Sequence, residues 1–342
     1  MIGSQPPAGK RRIATARVGH HVGARPLATG TPTMTTTTPD RHPRFEHRAV
    51  FHEGPDHLAD LVHEDVVAAL GAGDAVLVSA PEATWAPLAT RLGEEASAVR
   101  YVPDDVRFTQ PTVALKVVHD FVRERVDAGA TATMSIGAIP VDGDAIANDD
   151  WMRYESSVEE ILGHLPLRGI CAYDVAVTPP AMLDVARLTH DGDAHRGGEH
   201  AHPRAPTLAA RSPVPQPTTR PDVHASVASS REGRDALGGL GSLGASELED
   251  LRLVVSELVT NAILHGGAPV WLSVWSDAAR GTTIIDVSDG GTGIDDPYFE
   301  LRPPVNLPGG AGLWIIGQLS QRVTSHVADG THHVTALVQH VA

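Results

Sequence analysis

Cysteine is nearly absent from this chain: Cys171 is the only one in 342 residues. A single thiol excludes an internal disulfide and any structural zinc site built from several thiolates, and it suits a reducing cytoplasm. Lysine is almost as scarce, Lys10 and Lys116 being the only two, so arginine carries nearly all the positive charge, as a GC-rich genome would produce. Long apolar runs are missing too. None approaches the roughly 20 residues that cross a bilayer, and the N-terminus lacks the apolar core of a signal peptide. Basic residues are in the minority, 27 against 42 acidic, for a formal net charge of -15. That field repels nucleic acid and anionic membranes and argues against direct contact with either. The expectation is a soluble, cytoplasmic protein.

The length is sufficient for two domains, and 42% hydrophobic residues allow each its own core. Residues 1–44 carry Arg11, Arg12, Arg17, Arg25 and the run Thr35–Thr38, with no periodicity and no acidic residue before Asp40. Such a composition predicts a disordered tail. It also has the character of a transit peptide, but Met34 offers an alternative start, and an over-extended reading frame accounts for the tail better.

From 45 to 190 apolar runs alternate with helical patterns. Ala75–Val78, Met134–Ile139 and Ile170–Tyr173 read as strands; segments near 56–70, 83–96, 112–128 and 151–163 read as helices. This alternation predicts an α/β domain with a mainly parallel sheet. Six prolines, from Pro203 to Pro221, then mark 191–224 as a linker. His195, His200 and His202 within it read as solubilising residues of a tether rather than as a metal site.

The last unit, 225–342, opens with a long helix. Ser246 and Glu249 form a capping-box signature, and Leu251, Val254, Val255, Leu258 and Ala262 follow helical spacing. Segments 270–275, 282–287, 322–327 and 334–338 read as antiparallel strands, with a second helix at about 311–320. Strands segregated from helices in this order predict an α+β sandwich.

Glu257, Asn261 and His265 recur every four residues and so share one side of the first helix. A solvated flank is the alternative reading of that stripe taken alone. Two glycine clusters change the weighting: Asp289-Gly290-Gly291-Thr292-Gly293 directly after a strand, and Gly309-Gly310-Ala311-Gly312-Leu313 at the opening of the second helix. Each is a common loop by itself, but the three together in this order describe a nucleotide groove. A carboxylate such as Asp289 can accept from the exocyclic amine of adenine, and glycines let backbone approach base and phosphates. Gly310 and Gly312 at a helix start leave N–H groups aimed at anionic phosphate. In an acidic, lysine-poor chain the phosphate charge needs another counter-charge, and Mg²⁺ held by the side-chain oxygen of Asn261 would supply it.

The segment Ser256–Gly266 resembles the N-box of the GHKL ATPases, in particular of RsbW-type anti-sigma-factor serine kinases. Asp-x-Gly-x-Gly at 289–293 is similar to their first glycine box, and Gly-x-Gly-Leu-Trp at 310–314 to their second. The resemblance covers 225–342 and implies a Bergerat (GHKL) α+β fold. It further implies ATP and Mg²⁺ as cofactors, Glu257 as general base, Asn261 as magnesium ligand and Asp289 as the adenine contact. His265, Gly291, Gly293, Gly310, Gly312 and Leu313 complete the implied nucleotide site. The implied partners are a sigma factor and an anti-anti-sigma (STAS-type) protein bearing the target serine or threonine. Two departures stand out: the usual threonine of the final strand is not clearly placed, with His332 and His333 near its position, and the segment 294–308 is short and proline-rich. An ATP-responsive binding module without turnover and a histidine-kinase-like sensor are the alternatives.

The region 45–190 resembles the MEDS sensory domain through His52-Glu53, Tyr154-Glu155, Cys171-Ala172-Tyr173-Asp174 and Thr189-His190. That resemblance implies a RecA-like α/β fold and a small-molecule signal. The loop Ser79-Ala80-Pro81-Glu82-Ala83 has neither the glycines nor the lysine of a phosphate loop, so ATP is not expected there. Cys171, Tyr173 and His190 could line a pocket at the strand ends, or be ordinary core residues and a solvated terminus.

Overall fold

A computed structural model describes residues 45–139, 141, 145–190, 212–241, 243–304 and 310–340. The expected disordered tail lies outside these residues, as do Gly309 and the histidines at 195, 200 and 202.

The first half alternates strand and helix: β1 (Glu46–His52), α1 (Pro55–Gly71), β2 (Ala75–Ala80), α2 (Glu82–Leu92), β3 (Val99–Pro103), the single turn α3 (Asp104–Arg107), α4 (Pro111–Asp127), β4 (Thr133–Ala138), α5 (Ala145–Leu162), β5 (Leu167–Asp174) and α6 (Pro180–Thr189). The five strands form one wholly parallel sheet in the order β1-β5-β4-β2-β3. A parallel sheet is covered on both faces, which is why β2 and β4 are nearly continuous apolar or small runs. Alternate side chains divide the core. Val76, Val78, Met134 and Ile136 pack with α1 and α2 on one face. Leu77, Cys171 and Tyr173 pack with α4, α5 and α6 on the other.

Helix α2 is shorter than the periodicity predicts. Gly93 takes φ 58 and ψ -123, a positive-φ conformation open to glycine that breaks the α-helix, and residues 93–98 continue as a 3-10 helix. Strand β3 and helix α6 have no counterpart in the sequence reading, and the turn after β2 passes through Pro81 straight into α2.

The second half contains β6 (Val223–Ser226), α7 (Ser230–Ala236), α8 (Ala245–Asn261), β7 (Trp271–Asp277), β8 (Thr282–Asp289), α9 (Gly312–Leu319), β9 (Arg322–Ala328) and β10 (Thr331–Gln339). Its sheet is antiparallel, ordered β6-β7-β8-β10-β9. Leu251, Val254, Val255, Leu258 and Val259 of α8 form a fully buried stripe against Leu272, Val274, Ile285 and Val287 of the sheet. Each such burial contributes roughly 1.5–3 kcal/mol relative to exposure. The helix start is displaced from the expected capping box. Gly244 is the N-cap, and its N–H donates to Glu247 Oε2 at 2.7 Å. Ser246 lies inside the helix and Glu249 pairs with Arg252 instead. The carboxylate three residues after the cap is the one that can reach back.

Residues 212–222, within the stretch read from its prolines as a tether, run along this sheet. Val214 is buried and its N–H donates to Thr324 Oγ1 at 3.0 Å; Trp275 Nε1 donates to the Thr219 carbonyl at 2.9 Å.

The apolar layer beneath α4 and α5 continues into the second half through Tyr298, Leu301 and Trp314. Polar contacts frame it. Arg153 on α5 makes a two-pronged ion pair with Glu300, Nη1 to Oε1 at 2.7 Å and Nη2 to Oε2 at 3.1 Å, with both side chains buried. Thr112 Oγ1 donates to the Gly317 carbonyl at 2.7 Å, and Gln110 Nε2 donates to the Gln318 carbonyl at 2.9 Å. Gly317 has no room for a side chain: a Cβ there would lie 2.6 Å from the Glu300 carbonyl oxygen.

Removing one member of a buried ion pair strands the other charge in a low dielectric. Arg153→Met is therefore expected to lower stability by about 3–5 kcal/mol, whereas Arg153→Met with Glu300→Leu should recover much of that loss. Urea unfolding of the two variants measures the difference.

Candidate functional site: the nucleotide groove

The burial of α8's apolar stripe turns its opposite flank toward the loops at one end of the antiparallel sheet. The α-helical turns end at Asn261, and Ala262–Gly266 continue as a π-helical turn, which carries His265 onward along the same groove. Here a cavity of about 380 Å³ opens, lined by Leu258, Asn261, Ala262, His265 and Gly266 from this helix and turn. Val287, Asp289, Gly291, Thr292, Gly293 and Ile294 line it from β8 and the loop after it; Gly310, Gly312 and Leu313 from the start of α9; His332 and Val334 from β10. The volume falls in the range of small-molecule sites, and the mixture of apolar walls with a few convergent polar groups is typical of them.

Eight residues picked out in the sequence thus meet around one cavity: Asn261, His265, Asp289, Gly291, Gly293, Gly310, Gly312 and Leu313. Glu257 stands just outside that lining, one turn before Asn261. Its position relative to the glycine loop is close, since a Cβ on Gly312 would lie 2.5 Å from Glu257 Oε2. A side chain at position 312 would therefore push the Glu257 carboxylate aside.

Asp289 closes the floor of the cavity and is 3% exposed. Its Oδ1 accepts the Gly291 N–H at 2.7 Å. Gly266 must also be glycine, because a Cβ there would lie 2.1 Å from the same carboxylate. The final strand resolves the question of the missing threonine. His332 stands directly opposite Asp289 in the β8–β10 ladder, so the two side chains share a face, with Nδ1 3.3 Å from Asp289 Oδ2 and Nε2 2.9 Å from Ser325 Oγ. Thr335 lies on the other face, where its hydroxyl donates to Asp286 at 2.8 Å. A histidine therefore backs the groove's carboxylate in this chain. His332 was legible only as a departure from a pattern, and Gly266 only as the end of a motif, because cross-strand register and a 2.1 Å clash are tertiary facts.

The groove has room and an unmet polar group for a ligand on its own evidence. Asn261 Nδ2 is buried without a hydrogen-bond partner, a costly condition that a ligand at the cavity would relieve. Among the described residues nothing lies within 4 Å of a Cβ position on Gly310.

Two family matches agree with this geometry. Residues 46–191 match the family described as MEDS, MEthanogen/methylotroph, DcmR Sensory domain, and residues 223–337 match the histidine kinase-like ATPase domain. The chain is a fusion of a MEDS domain with a GHKL-like ATPase domain. Among solved structures, two forms of the catalytic domain of histidine kinase ThkA match at 16% identity. One covers 27% of this chain and 66% of that one with a TM-score of 0.23; the other covers 27% and 67% with a TM-score of 0.22. The chain spans about two thirds of the length of that catalytic domain. No curated protein matches the chain. Among the described residues, no helix is long and apolar enough to cross a membrane.

The two glycines separate packing from ligand approach. Gly266→Ala is expected to destabilise the domain by about 1–3 kcal/mol, the usual result of overpacking, as Asp289 is driven from its seat. Gly310→Ala should leave the unfolding midpoint within about 0.5 kcal/mol of the parent. Thermal denaturation without nucleotide tests both.

Proposed function

We propose that this chain is a cytoplasmic anti-sigma regulator. It binds a sigma factor and uses ATP to phosphorylate a serine or threonine of an anti-anti-sigma (STAS-type) protein, under control of a small-molecule signal at its N-terminal domain. Neither nucleic acid nor membrane is a partner in this reading. The observation that carries it is the placement of Glu257 and Asn261: the amide lines the cavity and the carboxylate stands at its rim, against Gly312. A carboxylate at the rim is where a hydroxyl brought by another protein would meet the groove, and Glu257 takes that hydroxyl's proton as general base.

The remaining roles follow from the chemistry of the groups. Asp289, on the cavity floor, accepts from the exocyclic amine of adenine, oriented by Gly291 N–H and His332. The free N–H groups at the start of α9 face the phosphates. Bound Mg-ATP supplies the transferable phosphoryl group and the metal charge that offsets its oxygens. Asn261 provides the metal's protein ligand through its side-chain oxygen.

Control by the N-terminal half is supported by what that half holds. Gln110 and Thr112 grip the carbonyls of residues 317 and 318 in α9, and Arg153 holds Glu300 in the segment between the two glycine boxes. A shift of α4 or α5 therefore moves the elements that carry Gly312 and Leu313. The contacts are in place for coupling without any further domain.

Three variants divide the roles. Asn261→Ala should abolish Mg-ATP binding, and Asp289→Asn should weaken adenine nucleotides selectively, both read by calorimetry on the full chain. Glu257→Ala should keep most nucleotide affinity and lose phosphotransfer by roughly 10²–10⁴-fold. The assay is radiolabelled ATP with the anti-anti-sigma proteins of the same genome. An acid-stable phosphate on a partner serine or threonine is the expected product. An acid-labile phosphate would favour a histidine-kinase-like sensor, and no transfer by the parent chain would favour a binding module.

A further inference from the structure

Four side chains of three chemical kinds converge in the buried interior of the N-terminal domain. They are His47 on β1, Glu155 on α5, Cys171 on β5 and His190 immediately after α6. All four are buried, and one ligand atom from each lies within 4.8 Å of every other. His47 Nε2 is 3.3 Å from Cys171 Sγ and 3.7 Å from Glu155 Oε2, and His190 Nε2 is 3.1 Å from the same Oε2. With zinc–nitrogen and zinc–oxygen bonds of about 2.0–2.2 Å and a zinc–sulfur bond of about 2.3 Å, a tetrahedral ion holds neighbouring ligand atoms roughly 3.3–3.7 Å apart. These three separations fall within about 0.2 Å of that range.

Orientation and bonding agree with the spacing. His190 Nδ1 donates to the Ala186 carbonyl at 2.7 Å, which fixes the tautomer and leaves the Nε2 lone pair facing the cluster, the arrangement common behind metal-bound imidazoles. Neither oxygen of Glu155 and not His190 Nε2 has a hydrogen bond of normal geometry, although both residues are less than a twentieth exposed. A carboxylate so placed is expensive unless a cation meets it. Arg107, whose field reaches the thiol, is turned to Ser135 Oγ at 3.4 Å and lies over the Phe108 ring.

We propose that His47, Glu155, Cys171 and His190 form a closed, four-ligand site for a divalent transition-metal ion of the zinc class. Two imidazoles, a thiolate and a carboxylate suit a borderline-soft ion such as Zn²⁺ rather than Mg²⁺ or Ca²⁺. On binding, the Cys171 thiol releases its proton to solvent and the sulfur donates an electron pair to the ion. The site is separate from the nucleotide groove and stands whether or not the kinase reading does.

Because Cys171 is the only thiol in the chain, a thiolate-to-cobalt charge-transfer band can arise from no other residue. The full-length protein is stripped with a chelator and titrated with Co²⁺ and then Zn²⁺. One equivalent of Co²⁺ should give that band together with the intense visible bands of tetrahedral cobalt, and Zn²⁺ should bleach both. Cys171→Ala and His190→Gln should each weaken Zn²⁺ binding by more than the roughly 10–100-fold typical of losing an outer-shell partner. A variant with His195, His200 and His202 replaced by alanine should bind as the parent does. Absence of the sulfur band in the parent overturns the proposal even where a variant fails to fold. So does loss of binding in the triple-alanine variant, or metal binding unchanged in a folded Cys171→Ala chain.

Discussion

The buried face of α8 is the constraint from which the nucleotide groove follows. Five apolar side chains at helical spacing must leave water, and the antiparallel sheet offers the surface that takes them. Once that contact is made the helix cannot rotate, because a turn about its axis would expose Leu258 or bury Glu257. Asn261 and His265 are then held toward the strand ends where β8 delivers Asp289 and α9 delivers Gly312 and Leu313. The polar groups of the site are few and individually weak determinants of fold. Their common position is fixed by residues that never touch the cavity.

A second dependence runs between the two halves. The Arg153–Glu300 pair is desolvated, and its guanidinium also lies 5.3 Å from the centroid of the Tyr298 ring. Around it the apolar core of the first domain is completed by side chains of the second, among them Leu301 and Trp314. The segment between the glycine boxes is therefore part of the N-terminal domain's packing at one end and of the cavity wall at the other. Residues 291–304 thus touch both the core of the N-terminal domain and the cavity.

Helix α5 links the buried features of the N-terminal domain. Arg153 leaves it toward Glu300, and Glu155, two residues on, enters the cluster with His47, Cys171 and His190. The interior of the sensory half and the interface to the ATPase half are thus separated by a fraction of a helical turn.

Much of this was written in the sequence, for identifiable reasons. The parallel sheet showed in Ala75–Val78 and Met134–Ile139, whose apolar continuity only a doubly covered strand needs, and α8 showed in the 3.6-residue recurrence of Leu251 to Ala262. Asn261, Asp289 and the 310–314 loop could be picked out because each motif carries its chemistry locally, and the structure brings them around one cavity. What the sequence could not hold was long-range register. That His332, not a threonine, backs Asp289 follows from which residue of β10 lies opposite the end of β8. That Glu247, not Glu249, reaches back to the start of α8 depends on where the helix begins. The MEDS resemblance named Glu155, Cys171 and His190, but their meeting with His47, and the pairing of residues 153 and 300, join positions from 16 to 147 apart in the chain. No local pattern encodes such meetings, because they are set by the order of strands in a sheet and by the faces that helices bury against it.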